Sequence, residues 1–205
     1  MLIPSPNTAE ASYTRLAGSD RYQTAVKYAQ KGWGKSEYVF LVKGDEYAEA
    51  LCAGSLASKY NAPILFTEKY SVSSDTLEEI KRLEANKVII VGGYDSISGS
   101  IDQALYSAGV ITIERVYGSD KYETSVEIAK RLGSKEVALA SADQYAGALS
   151  VASVAAAKGI AILLQNYKIE RTYIIGGTEA ISKEIEKQVP TPEKDKAGMQ
   201  IRFPE

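Results

Sequence analysis

The string RLAGSDRYQTAVKYAQ at residues 15–30 returns as RVYGSDKYETSVEIAK at 115–130, one hundred positions later. A repeat this long requires the chain to build one supersecondary unit twice, as one domain or as two small ones. Two more blocks return in the same order. Residues 39–66 align with 137–164 at a shift of 98, and 88–98 align with 172–182 at a shift of 84. The shift falls by 14 between them, so the second copy is short by about one helix.

Within each copy the pattern is strand and helix in alternation. Asp20 precedes a helical pattern carrying Tyr22, Ala25, Val26 and Ala29 on one face, with Gln23 three residues on; Asp120 and Glu123 repeat the arrangement. Both predict an N-capped amphipathic helix. YVFLV (38–42) and EVALA (136–140) read as strands, each leading into a long Ala/Leu/Ser helix. PILF (63–66), a helix over 74–85, the strand KVIIV (87–91), Gly92-Gly93, a helix capped by Ser98 and the strand GVITIERV (109–116) complete the first unit. Near-continuous apolar strands separated by helices predict an α/β fold: two tandem βαβαβαβ repeats, each a mainly parallel sheet flanked by helices in a flavodoxin- or Toprim-like three-layer unit. The second repeat is expected to lack one helix. The expected boundaries are a leader segment at 1–12, repeat 1 at 13–112, repeat 2 at 113–190 and a C-terminal tail with a final strand at 191–205.

One link breaks the pattern. Seven residues, QNYKIER (165–171), separate AILL from TYIIGG, whereas a parallel crossover needs about a dozen. That strand is expected to run antiparallel, to enter another sheet, or to mark a lost segment.

Composition narrows the function. The chain has 205 residues, 45% of them hydrophobic, with a net charge of −2, enough to bury a full core but without a general attraction for nucleic acid. It contains no histidine and one cysteine, Cys52, inside an apolar helical pattern. Histidine-based catalysis, zinc sites of the usual ligand sets and intrachain disulfides are thereby excluded. No cofactor and no metal are expected. Residues 1–12 lack the basic and apolar regions of a signal peptide, and no apolar run reaches the roughly 18 residues of a membrane span.

These motifs together resemble the clostridial-type cell-wall-binding repeat, type 2, of Gram-positive surface proteins. Its opening R-x-x-G-x-D-R-Y-x-T-A is matched at Arg15, Gly18, Asp20, Arg21, Tyr22 and Thr24, and again at Arg115, Gly118, Asp120, Lys121, Tyr122 and Thr124. Its central F-A-D-A-L and P-I-L-L are matched with departures: Glu49 and then Gly147 at the acidic position, Pro63-Ile64-Leu65-Phe66 and then AILL. Its closing G-G and I-S are matched at Gly92-Gly93 and Gly176-Gly177. The resemblance implies three repeats in a pseudo-threefold assembly, secretion to the cell wall, and non-covalent attachment to an anionic wall polymer. It also implies a role in anchoring for the PILL segment, through folding, assembly or contact.

Read as residues, Gly18, Gly118, Asp20, Asp120, Tyr22 and Tyr122 suit turn, capping and packing roles. Arg15, Arg21, Arg115 and Lys121 either bind phosphate or carboxylate groups or form ion pairs within the fold. The glycine pairs either permit close packing or expose N–H groups to an anion. The acidic pairs Asp45/Glu46 and Glu78/Glu79 do not recur in the second copy and read as solvated surface; the fourteen tyrosines suit a wet exterior or stacking on sugars. The function expected is a non-catalytic module that anchors a secreted surface protein to a teichoic-acid-like or phosphorylated glycopolymer. Homo-oligomerisation or pairing with further repeats is the alternative, and a phosphate- or nucleotide-binding enzyme is the third. Neither nucleic acid binding nor membrane insertion is expected.

Overall fold

A computed structural model describes residues 15–142 and 145–165. Gly176, Gly177, the link after Leu164, the shortened part of the second repeat, the leader and the tail lie outside the described residues. The elements run α1 (Arg21–Gly32), β1 (Tyr38–Lys43), α2 (Tyr47–Lys59), β2 (Ile64–Thr67), α3 (Ser74–Arg82), β3 (Lys87–Val91), α4 (Ser100–Ser107), β4 (Thr112–Val116), α5 (Lys121–Leu132), β5 (Val137–Ser141), α6 (Tyr145–Lys158) and β6 (Ala161–Gln165).

The first unit forms a four-stranded, all-parallel sheet in the order β2-β1-β3-β4. Both faces of its two central strands are covered, which is why their sequences lack a polar alternation. Val39, Leu41, Val88 and Ile90 join one apolar cluster, with Val26 and Ala29 of α1, Ile80 of α3, and Ile101 and Leu105 of α4. Phe40, Val42, Ile89 and Val91 join the other, with α2. A right-handed crossover steps from β1 to β2 in one direction and from β2 back past β1 to β3 in the other, so its helices must fall on opposite faces. α2 accordingly stands apart from α1, α3 and α4.

The second unit fills the space beyond α2. β5 and β6 pair in parallel, and α5, α6 and β6 pack on α2. One apolar cluster runs from Phe40 and Val42 through Cys52, Ala53 and Leu56 to Ile128, Leu132, Ala155 and Ile162. Polar contacts tie the same boundary. The Lys59 ammonium, at the end of α2, donates to the Leu132 carbonyl at the end of α5 (2.8 Å), where a cation suits the helix terminus. Arg131 of α5 pairs with Glu114 of β4, and the Ser125 hydroxyl accepts the Leu164 N–H (3.0 Å).

Several element ends shift: β4 begins at Thr112 rather than 109. α3 ends at Arg82 rather than 85, because Glu84 takes a left-handed φ of 55° and ends the helical run. α4 begins at Ser100 with Gly99 at its N-cap; Ser98 lies one residue earlier, its hydroxyl accepting the Ser100 N–H (3.2 Å). PILF forms a strand one residue later, Ile64–Thr67, with the Pro63 carbonyl accepting from Phe40.

Gly18 and Gly118 are required by proximity rather than by a turn. A Cβ on Gly18 would lie 2.3 Å from Gln23 Cβ and 2.7 Å from the Thr24 nitrogen; on Gly118 it would lie 2.4 Å from Glu123 Cβ and 2.7 Å from its carbonyl carbon. Replacing either by Ala should destabilise the fold by more than about 2 kcal/mol, since helix backbone cannot retreat. Gly54 lies within α2, and a Cβ there would meet nothing within 4 Å, so Gly54→Ala should instead stabilise by about 1 kcal/mol. Denaturant unfolding of the three variants checks the contrast.

Candidate functional site

Parallel strands place all their carboxyl ends on one edge, and the loops leaving that edge are where open α/β sheets form sites. In the first unit the strand order reverses between β1 and β3, so the crevice at the switch point lies between the loop after Lys43 and the loop after Val91. Both repeated strings also arrive at this edge. The second follows β4 directly, and the first is held over the β1 loop by Arg21, whose guanidinium donates to the Gly44 carbonyl (2.7 Å). The Tyr22 ring lies against Gly44, where a Cβ would sit 2.9 Å from its Cε1.

The strings are built alike. Asp20 Oδ1 accepts the Gln23 N–H (2.8 Å) and Asp120 Oδ1 the Glu123 N–H (2.8 Å). Gln23 and Glu123 reach back to the N–H of Ser19 (3.0 Å) and Ser119 (2.7 Å), a reciprocal cap. The hydroxyls of Thr24 and Thr124 each accept the N–H of Gly18 or Gly118 at 3.0 Å. Sequence reasoning misses that role for the motif threonine, although its place six residues after the glycine recurs in both copies.

The four cations expected to bind anions have separate surroundings. Arg15 and Arg21 are exposed. Arg115, on β4, is buried: its side chain is 7% exposed and pairs with Asp102 of α4 at 2.8 Å. It also donates to the Ile97 carbonyl (2.9 Å) and lies 4.1 Å from the centre of the Tyr94 ring. Lys121 is half-buried, its ammonium 5.3 Å from the centre of the Tyr122 ring. Ion pairing within the fold, one of the two expectations for these positions, is thus realised at Arg115.

The glycine pair has two tasks. Gly92, at φ 132°, spends its N–H on the Val116 carbonyl (3.0 Å), and its Cα faces the Glu49 carboxyl and the Ser96 hydroxyl, which a Cβ would approach to 3.5 and 3.3 Å. Gly93 seats the Tyr117 ring, 3.0 Å from a would-be Cβ. Leu65 is fully buried, Pro63 is buried, and Ile64 and Phe66 are half-buried against the α2 side. This segment packs rather than projecting.

Glu49, in the first turn of α2, is the unusual group. It is 8% exposed, and its Oε2 has no hydrogen-bond partner, as is true of the Ser96 hydroxyl beside it. Burial pushes its carboxyl up to about 7; the charge of Glu46 adds to the rise, and Lys43 opposes it. The helix N-terminus favours the ionised form, but desolvation wins. One turn on, burial pushes the Cys52 thiol up to about 12, which leaves it protonated and unreactive. Asp45 pairs with Lys43 (3.0 Å); Glu79, expected on solvated surface, is instead buried and pairs with Arg82 (2.7 Å). Among the described residues no group of three acidic or cysteine side chains is placed to hold a metal ion, and no helix is long and apolar enough to cross a membrane. A cavity of about 420 Å³ between α1 and α3, lined by Lys27, Asp75, Glu78 and Arg82 among others, takes none of the residues expected to bind.

Comparison with known proteins agrees with the architecture. The profile of the family Cell wall binding domain 2 (CWB2) matches residues 15–102 and 115–186. N-acetylmuramoyl-L-alanine amidase LytC of Bacillus subtilis is 34% identical over 200 residues, covering 90% of this chain and 40% of that protein. The amidase enhancer of the same organism is 33% identical over 183 residues, 85% of this chain and 26% of its own length. Among solved structures, Cwp8 from Clostridium difficile superposes with a TM-score of 0.70 at 34% identity, over 85% of this chain and 32% of that one. Cwp6 from the same organism gives 0.70 at 33%, over 82% and 29%. The chain therefore spans well under half the length of these relatives, and it belongs to the CWB2 family.

The folded Glu49 carboxyl titrates near 7 against an ordinary 4.5, so the native state holds the extra proton between those values. Stability should be highest below about pH 4.5 as far as this group is concerned, and fall by on the order of 3 kcal/mol as pH rises through about 7. Glu49→Gln should abolish that part of the fall, as read from denaturant unfolding at pH 5 and pH 8.

Proposed function

We propose that this CWB2-family chain is a non-catalytic anchoring module, which holds a secreted surface protein to the Gram-positive wall through an anionic, teichoic-acid-like or phosphorylated glycopolymer. The observation that carries the reading is the family match in both repeats. The exposed guanidinium groups of Arg15 and Arg21, with Lys121 in the second copy of the string, supply the cations that phosphate or carboxylate groups would meet. Two weak sites on one chain raise the overall affinity through effective concentration.

A second reading has its own support. α6 presents Leu149 and Val154 to solvent, 55% and 48% exposed, and apolar helix surface of this kind favours contact with another copy or a further repeat. Light scattering across concentration reads it directly: growth in mass supports assembly, and a constant monomer mass rejects it.

Co-sedimentation with purified walls, before and after the anionic polymer is extracted, tests the leading reading. Binding should be lost with the polymer and should weaken steadily as salt rises toward 1 M, since exposed charge pairs are screened over about 3 Å at that strength. Arg15→Glu with Arg21→Glu should weaken binding roughly tenfold at low salt. Equal binding to intact and stripped walls rejects the proposal.

A further inference from the structure

Each of the four strands of the first sheet is followed, on the carboxyl edge, by one exposed tyrosine. Tyr70 follows β2, Tyr47 follows β1, Tyr94 follows β3 and Tyr117 follows β4, with exposures of 70, 47, 57 and 44%. Among the described residues six tyrosines stand out as exposed, and four of them share this rim. The repeat imposes one of them, since Tyr47 recurs as Tyr145, but not the paired rings: the sequence positions equivalent to Tyr94 and Tyr117 are Thr178 and Ala17. Tyrosines with a packing role look different. Tyr38 and Tyr60 are half-buried, with ring centres 4.7 Å apart, against the core.

Three of the rim rings are held in place, and the fourth sits on a pinned loop. Tyr94 stacks on the buried Arg115 guanidinium at 4.1 Å and meets Tyr117 edge to face, with centres 6.4 Å apart at 76°. Tyr117 rests on Gly93 and Tyr94 on Gly99, where a Cβ would lie 3.0 and 3.5 Å from the rings. The Tyr47 hydroxyl donates to the Ala142 carbonyl (3.3 Å). The Tyr70 loop is pinned to the loop after β3, its Lys69 carbonyl accepting the Ser98 N–H at 2.8 Å. Rings already fixed in position lose little freedom when they bind. Their faces are electron-rich and attract the polarised C–H groups on one side of a pyranose ring. Of the cations beside these loops, Lys43 is paired with Asp45 (3.0 Å) and Glu46 (3.5 Å) and Lys69 stands 5.3 Å from the centre of the Tyr70 ring, so the ring faces, rather than charge, carry the recognition of a sugar at this surface.

We propose that the tyrosine rim formed by Tyr47, Tyr70, Tyr94 and Tyr117 at the carboxyl edge of the first sheet is a stacking subsite for pyranose rings of an anionic glycan. It rests on the wall-binding reading and names the place where the sugar backbone, as opposed to its charges, is held. The rim belongs to the first sheet, with Tyr117 supplied by the second copy of the string, so the two copies do not contribute equivalently.

The test is co-sedimentation of the full chain with purified walls at 0.5 M salt, where charge pairing is largely screened. Tyr94→Ala, Tyr117→Ala and Tyr70→Ala should each weaken binding about tenfold, and Tyr94→Phe and Tyr117→Phe, which keep the ring, should stay within about twofold of the parent chain. Tyr28→Ala and Tyr106→Ala, exposed elsewhere on α1 and α4, serve as controls that should bind as the parent does. Thermal unfolding of every variant establishes folding, and Tyr70→Ala, at the most exposed position, keeps the test decisive if the two paired rings prove necessary for folding. A parent chain that fails to bind walls at any salt overturns the wall-binding reading and the subsite with it, and one that binds at low salt but not at 0.5 M overturns the subsite alone. A parent that binds beside alanine variants that bind equally well overturns the subsite alone. Phe variants as weak as the Ala variants, or controls that weaken as much, overturn it too. So does a rim substitution that changes the oligomeric mass and leaves wall binding intact, which would assign the surface to a protein partner.

Discussion

Burial of α2 from both sides is the constraint on which the rest of the structure depends. Crossover handedness leaves this helix alone on its face of the first sheet, and a single helix cannot cover Phe40, Val42, Ile89 and Val91 while also shielding its own back. α5, α6 and β6 supply the missing cover. A helix buried all round must be apolar all round, which accounts for the Ala, Leu, Ser and Cys composition of 47–59. It also explains why Glu49 is conspicuous: a carboxyl on such a helix has nowhere wet to go. The two units therefore share one core, and the repeat is stable as a pair in the way solenoid units are, through the interface as much as through each unit.

The repeated string follows from the same arrangement. A chain leaving a sheet edge must turn at once into a helix that packs back on the sheet, and the GSD segment makes that turn by laying the glycine directly on the first helical turn. Asp20 or Asp120 caps the helix, the Gln or Glu closes the box, and the Thr hydroxyl takes the glycine N–H. The polar groups of the motif are largely employed within the turn. The string recurs because the architecture recurs, and the residues it uses twice report folding before they report binding.

Strands β1 and β3 are legible in the sequence because burial on both faces removes polar residues from them, and the caps of α1 and α5 because capping chemistry is local. The start of α4 reads one residue early since Gly99 caps with no side chain, so nothing in the sequence marks it more strongly than Ser98 does. The site is much less legible. Gly93 is a glycine because Tyr117 rests on it, and these residues meet through the β3–β4 pairing, a contact no spacing rule anticipates. The tyrosine rim is spread over four loops between Tyr47 and Tyr117, and only a parallel sheet with all its carboxyl ends on one edge assembles it. Glu49 departs visibly from the family pattern, but its isolation depends on Gly92 and Ser96, which lie two strands further along the chain.

Arg115 and Arg15 show that the frame in which the sequence repeats is offset from the frame in which the structure does. By sequence Arg115 opens the second copy, yet it sits on β4, pairs with Asp102 of α4 and supports Tyr94, all of which belong to the first sheet. Arg115 is thus a closing residue for the unit that precedes its string. Arg15 has the same place in the string and is exposed. A buried, paired guanidinium is fixed as structure, because removing its partner would leave a charge stranded in the core, whereas an exposed one carries no such constraint. The same residue type at the same motif position thus has different surroundings in the two copies, and a family motif must be carried over position by position to separate its binding residues from its folding ones.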